Sequence, residues 1–186
     1  MKTPFLRWLV AATAATSLFL GVAHAQVDTS KSTVTATSKQ MNVPVEGTFK
    51  KFTAQLDFDP AKPAAGSARL SIDTASYDLG DDSYNQQVRG KEWFDTAHYP
   101  NATFVSSAIA PAGSNQFNVS GTLTIKGKSA NVTVPVKVTQ QGSTQSFDGA
   151  LPIKRSQFEI GTGEWKDTSV VADEVVIKFH IIAAKK

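Results

Sequence analysis

An all-β fold is what this sequence predicts, an antiparallel barrel of roughly eight strands with one short helical insertion. Three observations predict it. Apolar and polar residues alternate at period two along most of the chain, most clearly where Phe52, Ala54, Leu56 and Phe58 interleave with Thr53, Gln55 and Asp57. The connections between such runs are nearly all of hairpin length. A single stretch, Ser76 to Phe104, breaks the alternation with a helical pattern. Closing a sheet of this size removes the edges that would template aggregation, and a barrel of about eight strands encloses either packed side chains or one small ligand.

The chain begins with an export pattern. Lys2 and Arg7 precede an apolar run from Leu9 to Val22, and Ala23, His24 and Ala25 place small residues at both positions of an A-x-A cleavage site. This predicts a signal peptide over residues 1–25 and one barrel domain over residues 26–186. The apolar run is shorter than the roughly 18 to 20 residues a spanning helix needs. Removing Lys2 and Arg7 takes the basic count from 19 to 17 against 16 acids, a net charge of +1 where the whole chain has +3. A chain so nearly neutral has little with which to capture nucleic acid or an anionic membrane surface electrostatically. It has no cysteine, which is ordinary for a bacterial exported protein that folds on a sufficient core, so the expected compartment is the periplasm.

The strands follow in order. Val34 to Gln40 is a weak first strand, closed by a break at Val43-Pro44, and Phe52 to Phe58 is a strong second. Asp59-Pro60 and the segment Lys62 to Gly66 turn the chain into a third, carried by Ala68, Leu70 and Ile72. Ala102 to Ile109 is the fourth, ended by Pro111, Gly113 and Asn115. Phe117, Val119, Leu123 and Ile125 mark the fifth, with Gly121 as a candidate bulge or bend. Lys126-Gly127-Lys128 turns into the sixth, where Val132, Val134, Val136 and Val138 share a face and Pro135 requires a place where a ladder bond can be spared. Phe147, Leu151 and Ile153 suggest a seventh. After a segment from Ile160 to Ser169, Val175, Ile177, Phe179 and Ile181 give the last. The Asn-x-Ser/Thr triplets at Asn101, Asn118 and Asn131 all lie in such runs and read as polar strand faces.

The interrupting stretch gathers Tyr84, Val88, Trp93, Phe94, Tyr99 and Phe104. Val88 lies four residues after Tyr84, so both fall on one face of a short amphipathic lid over residues 82 to 95, with Asn85, Gln86 and Arg89 directed elsewhere. Ser83 and Gln86 fit a capping box, with Asp81 and Asp82 as rival caps. Pro100 holds Tyr99 extended and stops further helix.

Motifs of chemistry are weak. Gly127-Lys128-Ser129 resembles the end of a phosphate-binding loop, but the position that should hold its first glycine is Thr122, and strands flank it where a helix is required. His98 and His180 are the only histidines after residue 25, so no metal or other cofactor is expected. Asp78, Asp81 and Asp82 lack the spacing of a calcium loop. No Gly-x-Ser-x-Gly elbow and no legible carboxylate pair point to an enzyme. Arg155 closes a strand either as a surface arginine or as an anchor whose paired donors grip a ligand's polar head.

Several stretches together resemble the YceI-like family, the polyisoprenoid-binding, lipocalin-like proteins of the bacterial periplasm. They are Val45 to Phe49 with Phe52, then Phe58-Asp59-Pro60, Ile72 to Ser76, Trp93-Phe94-Asp95 with Tyr99-Pro100 and Phe104, Gly121 to Gly127, and Arg155 to Phe158 with Ile160-Gly161. The resemblance implies a lipocalin-like barrel enclosing a long apolar tunnel that holds an isoprenoid or other long-chain lipid. On that reading the lid residues Tyr84, Val88, Trp93 and Phe94 close over the tail, Phe52, Phe104, Leu123 and Ile125 form tunnel walls, and Arg155 meets the head. The lid sequence Tyr84 to Trp93 departs from the family's usual Arg-Asp, His-Leu and Arg-Ser pattern. It resembles a subgroup found beside membrane b-type cytochromes, which implies a quinone-like isoprenoid. A carrier of this kind would make transient contact with inner-membrane proteins or a lipid surface, and a homodimer is compatible with it. The competing readings are a cargo-free interaction module with a solid barrel and, further off, a periplasmic hydrolase. Ala54, Ala68, Ala102 and Gly121 are small enough to leave a barrel hollow.

Overall fold

The computed structural model describes residues 25–185. The expected signal peptide therefore lies, except for Ala25, outside the described residues. Among them no helix is long and apolar enough to cross a membrane.

Ten strand segments form one antiparallel sheet: β1 (Thr33–Gln40), β2 (Val43–Phe49), β3 (Phe52–Asp57), β4 (Ser67–Asp73), β5 (Tyr77–Asp78), β6 (Asn101–Gly113), β7 (Gln116–Ile125), β8 (Lys128–Gln141), β9 (Thr144–Lys154) and β10 (Glu174–Ala184). Their order is β3-β4-β6-β7-β8-β9-β10-β1-β2-β5. Two of these boundaries are bends rather than ends. β2 continues into β3 through Lys50 and Lys51, and β4 continues into β5 through a 3-10 turn at Thr74–Ser76. At the bend the Lys50 amide donates to the Ser76 carbonyl at 3.1 Å, the Lys51 amide to Ser76 Oγ at 3.0 Å, and the Asp73 amide to the Lys51 carbonyl at 3.0 Å. The β2–β5 and β3–β4 pairings are thus two halves of one bent hairpin. Counted this way the strands number eight and the sheet closes on itself, as the sequence predicts.

Local chemistry explains the turns. Met41 and Asn42 both have positive φ, 49° and 66°, between the paired Gln40 and Val43, which is the left-handed two-residue turn that suits strand twist. Lys126 and Gly127 do the same between Ile125 and Lys128. β2 is a strand the sequence reading took for a break. Pro44 is tolerated there because β2 pairs with β5 only at Thr48 and Phe49, so its other side is open at Pro44. Pro111 likewise lies inside β6, beyond the stretch that pairs with β4, and Pro135 sits just before β8 begins to pair with β9 at Val136. The irregularity expected at Gly121 falls on the facing strand, where the register shifts between Ser106 and Ala108. Gly121 itself makes room for an aromatic ring: a Cβ there would lie 2.6 Å from Phe104 Cζ.

One face of each strand fills the interior. Along β7, Phe117, Val119, Gly121, Leu123 and Ile125 are buried, while Ser120, Thr122 and Thr124 bond across to Thr133, Asn131 and Ser129 on the outside. Asn101, Asn118 and Asn131 are exposed.

The helix α1 spans Asp82–Arg89, shorter than the lid expected over 82 to 95. Its cap is Asp81, whose side chain accepts from the Ser83 and Tyr84 amides and from Ser83 Oγ, so the Ser83 capping box does not form. Gly90 ends it. The inward face is Asn85 and Val88; Tyr84 is 57% exposed. Asn85 faces inward because its amide is spent locally, accepting from the Leu79 amide at 2.7 Å and donating to Asp78 Oδ1 at 3.0 Å.

Candidate functional site

The interior holds two compartments that share Phe49, Phe94, Ile125 and Ile177 in their walls. The lower, about 150 Å³, is built by strands, with Ala54, Leu70, Ile72, Ala102, Phe104, Leu123, Val136, Leu151 and Phe179 among its walls. At its far end Phe58 meets Phe117 and Phe147 edge to face, with ring centroids 4.9 and 5.6 Å apart. Phe117 lies eight residues along β7 from Ile125, about 26 Å at 3.3 Å per residue. An apolar hollow of this size stays dry and accepts only apolar guests. Ala54, Ala68 and Ala102 line it, so small residues do leave room where the sequence suggested. The bore is not filled end to end.

The upper compartment, about 390 Å³, is roofed by other means. Val88 and Tyr84 of α1, Trp93 and Phe94 of the following loop, Ile160, Trp165 and Val171 of the segment before β10, and Ser38, Gln40 and Val45 of the β1–β2 hairpin surround it. Phe94, a wall of both compartments, stands edge-on to Tyr77 (5.6 Å) and Phe49 (6.1 Å). Trp93 lies 5.6 Å from Trp165, tilted by 53°. Burial, with the nearby Glu46 carboxylate adding to it, pushes the Tyr77 phenol up to about 12, and its hydroxyl donates to the Ala36 carbonyl at 3.1 Å.

Backbone ties hold this roof in place. The Glu92 carbonyl accepts from the amides of Gly161 (2.8 Å) and Thr162 (2.9 Å). Lys126 Nζ, at the β7–β8 turn, donates to the carbonyls of Lys91 (2.7 Å) and Glu159 (2.8 Å), and burial lowers its pKa against the opposing pull of Asp95, Glu159 and Glu92.

Arg155 is the hub of the arrangement. It is 2% exposed, and Nε donates to the Ala172 carbonyl, Nη1 to those of Ile160 and Gly161, and Nη2 to those of Trp165 and Val171, at 2.8 to 3.1 Å. Guanidinium has five N–H donors, and these are five acceptors. Neither sequence-level option for Arg155 describes it: it is not a surface residue, and it keeps no donor for a ligand head. Gly161, with φ +71°, is where the backbone comes close enough for this, since a Cβ there would strike the guanidinium.

Of the residues singled out in the sequence, Phe94, Phe104, Leu123 and Ile125 line the lower compartment, and Tyr84, Val88, Trp93, Phe94, Ile125 and Arg155 the upper. Phe52 lines neither; it borders a separate surface depression with Lys50, Lys51 and Asp73. Among the wall residues that the sequence does not reveal are three aromatics. Phe49 was missed because β2 was read as a break, and Tyr77 because it begins a two-residue strand segment. Trp165 lies in a glycine-bounded segment with no periodicity; the tryptophan itself, rare in the chain, was the only signal. Among the described residues no group of three or more His, Cys, Asp or Glu could hold a metal.

Comparison with known proteins follows the same lines. A family model described as YceI-like domain matches residues 26–183. A UPF0312 protein of Azotobacter vinelandii (strain DJ / ATCC BAA-1303) is 27% identical over 135 residues, covering 69% of this chain and 68% of that protein. Protein YceI of Escherichia coli O157:H7 is 33% identical over 122 residues, covering 62% of this chain, which thus spans 63% of that relative's length. The crystal structure of Burkholderia cenocepacia BcnA superposes with a TM-score of 0.84 at 70% identity, covering 85% of this chain and 99% of the other. A polyisoprenoid binding domain from Saccharophagus degradans implicated in plant cell wall breakdown gives a TM-score of 0.73 at 20% identity, covering 89% and 100%, a likeness of fold.

Proposed function

The chain belongs to the YceI-like family, and from that premise we propose that it is a periplasmic binding protein which holds an isoprenoid or related amphiphilic lipid, quinone-like in its head, as a carrier or sequestering protein and without catalysis. The observation that carries this reading is the pair of neighbouring compartments: an apolar, strand-walled hollow that suits a tail, sharing walls with a larger, roofed one that suits its other end. A homologue in fold that is described as a polyisoprenoid binding domain supports the same ligand class.

Magnitudes favour retention. Each buried CH2 equivalent contributes about 0.8 kcal/mol, so roughly ten supply about 8 kcal/mol, comparable with a micromolar constant before ordering costs. At about 150 Å³ the lower hollow as it stands admits a short apolar segment, so a longer tail enters by parting flexible side chains such as those of Phe104 and Phe179. Escape into water is then slow. Release requires a membrane or a partner protein that receives the lipid, which suits delivery better than free diffusion of cargo.

The test is organic extraction and mass analysis of the protein purified from its native host. A stoichiometric prenylated lipid is the expected outcome. Protein that emerges empty, and that takes up no prenylated lipid from detergent or vesicles, ends the reading in favour of a cargo-free interaction module.

A further inference from the structure

Trp93 Nε1 is the one buried side-chain nitrogen or oxygen among the described residues that has no hydrogen-bond partner. Buried indole N–H groups ordinarily find an acceptor, and leaving one unmade costs more than a made bond contributes. Trp93 cannot easily retreat from the site. Its own amide bonds to the Gly90 carbonyl at 3.0 Å, and the preceding Glu92 carbonyl is held by two amides of the 161–162 backbone. Its side chain lines the upper compartment.

The other buried side-chain donors of that compartment are spent, while Ser38, Gln40, Tyr84, Gln87 and Trp165 carry theirs on half-buried or exposed residues that solvent can satisfy. Arg155, its sole charged wall residue, gives all five N–H groups to carbonyls, and the Tyr77 hydroxyl is taken by Ala36. The lower compartment has one charged wall residue, Arg69, which is exposed and so reaches solvent with its charge. Among the described residues no cation beyond these two lines either compartment. A phosphate or diphosphate enclosed there would be an unpaired buried charge, which is strongly disfavoured. An uncharged oxygen that accepts one hydrogen bond would instead satisfy the orphaned indole.

We propose that Trp93 is the head-group recognition residue of the tunnel, donating its indole N–H to a carbonyl or ether oxygen of an uncharged, ring-bearing prenyl lipid, and that the site thereby discriminates against prenyl phosphates. This rests on the lipid-binding reading above and adds to it which end of the ligand lies under the roof and what chemistry that end must have.

Three probes of matched tail length test it: a prenylated benzoquinone, the corresponding prenyl phosphate, and a hydrocarbon with no head. The full chain should bind the quinone at least about tenfold more tightly than the phosphate. W93F keeps an aromatic ring but removes the donor together with part of the ring area, so the hydrocarbon reads the lost area and the quinone the lost area plus the lost bond: quinone binding should weaken about five- to tenfold more than hydrocarbon binding. Independently of any variant, the Trp93 indole 15N–1H resonance should move on adding quinone and stay in place with hydrocarbon. Equal effects of W93F on quinone and hydrocarbon, or an unmoved indole resonance with quinone bound, overturn the inference while lipid binding stands. Phosphate binding as tight as quinone overturns the charge argument. If none of the three binds, the tunnel reading fails, and this inference with it.

Discussion

The two compartments are made by different physics. The lower one is a by-product of alternation: strands with one apolar face, curled until the faces meet, with alanines where the wall is thin and a cluster of three phenylalanines at the far end. Its cohesion is spread over many interchangeable contacts. The upper one is roofed by irregular chain, and its shape depends on a few backbone bonds that converge on Arg155, Lys126 and the Glu92 carbonyl. Irregular backbone buried beside a cavity must satisfy its own carbonyls, and a planar five-donor group does so from one position. An apolar tail needs only the first kind of construction. A head that must be recognised needs the second.

The contrast is broken most severely at Arg155. Arg155→Met fills similar volume but leaves five carbonyls without their donor, and should destabilise the protein by about 3 to 5 kcal/mol. Denaturant unfolding measures the loss, and amide exchange should rise first in residues 155–172. Arg155→Lys should not restore it, since a point ammonium cannot reach five diverging acceptors. A change under about 1 kcal/mol would mean that water substitutes for the guanidinium and that the roof needs no hub.

The lower compartment answers to volume instead. Gly121→Ala drives a Cβ into the Val105 carbonyl of β6 and to 2.6 Å from Phe104 Cζ, so that the strand backbone must shift as well as the ring. The expected cost is about 1 to 3 kcal/mol, with weaker retention of a prenyl tail and unaltered amide exchange in the roof. Increased exchange around Trp93 or Gly161 in this variant would show that the two constructions are coupled rather than separate.

This division also marks how far the sequence could be read. Alternation places Leu123, Ile125 and Phe104 on strands, and hairpin-length connections expose the closed antiparallel sheet, because both signals are local. β2 was hidden because Pro44 and Gly47 look like breakers. The first is tolerated beside an open side of the ladder, and the second is needed because a Cβ there would enter the Tyr77 ring. Arg155 was illegible for a different reason: its acceptors are backbone carbonyls at 160, 161, 165, 171 and 172, and a carbonyl has no letter in the sequence. In the helix the pairing of Tyr84 with Val88 is legible, and both line the upper compartment, whereas the burial of Asn85 is not. Tyr84 and Val88 share a helical face by spacing, yet the hydrogen bonds of Asn85 to Leu79 and Asp78 turn the helix so that Asn85 is buried and Tyr84 is not.

The smallest expected effect lies at the outer edge of the roof, where α1 hangs on one carboxylate. The Ser83 hydroxyl, followed by the Tyr84 and Ser83 amides, holds the Asp81 carboxyl below its ordinary value of 3.8. A carboxyl whose folded-state pKa is depressed stabilises the fold above the unfolded value and loses that contribution as pH falls through the folded one. The cap therefore supports α1 at neutral pH and lets go below about pH 4. Asp81→Ala should remove this dependence: at neutral pH its α1 amides should show the low protection factors, relative to intrinsic exchange, that the parent protein shows in acid, while the strand amides stay protected. If α1 gates the upper compartment, the same variant releases bound lipid faster with little change in overall stability. Release kinetics unchanged from the parent, with α1 visibly loosened, would place the exit elsewhere than under the helix, at the β1–β2 hairpin or the segment before β10.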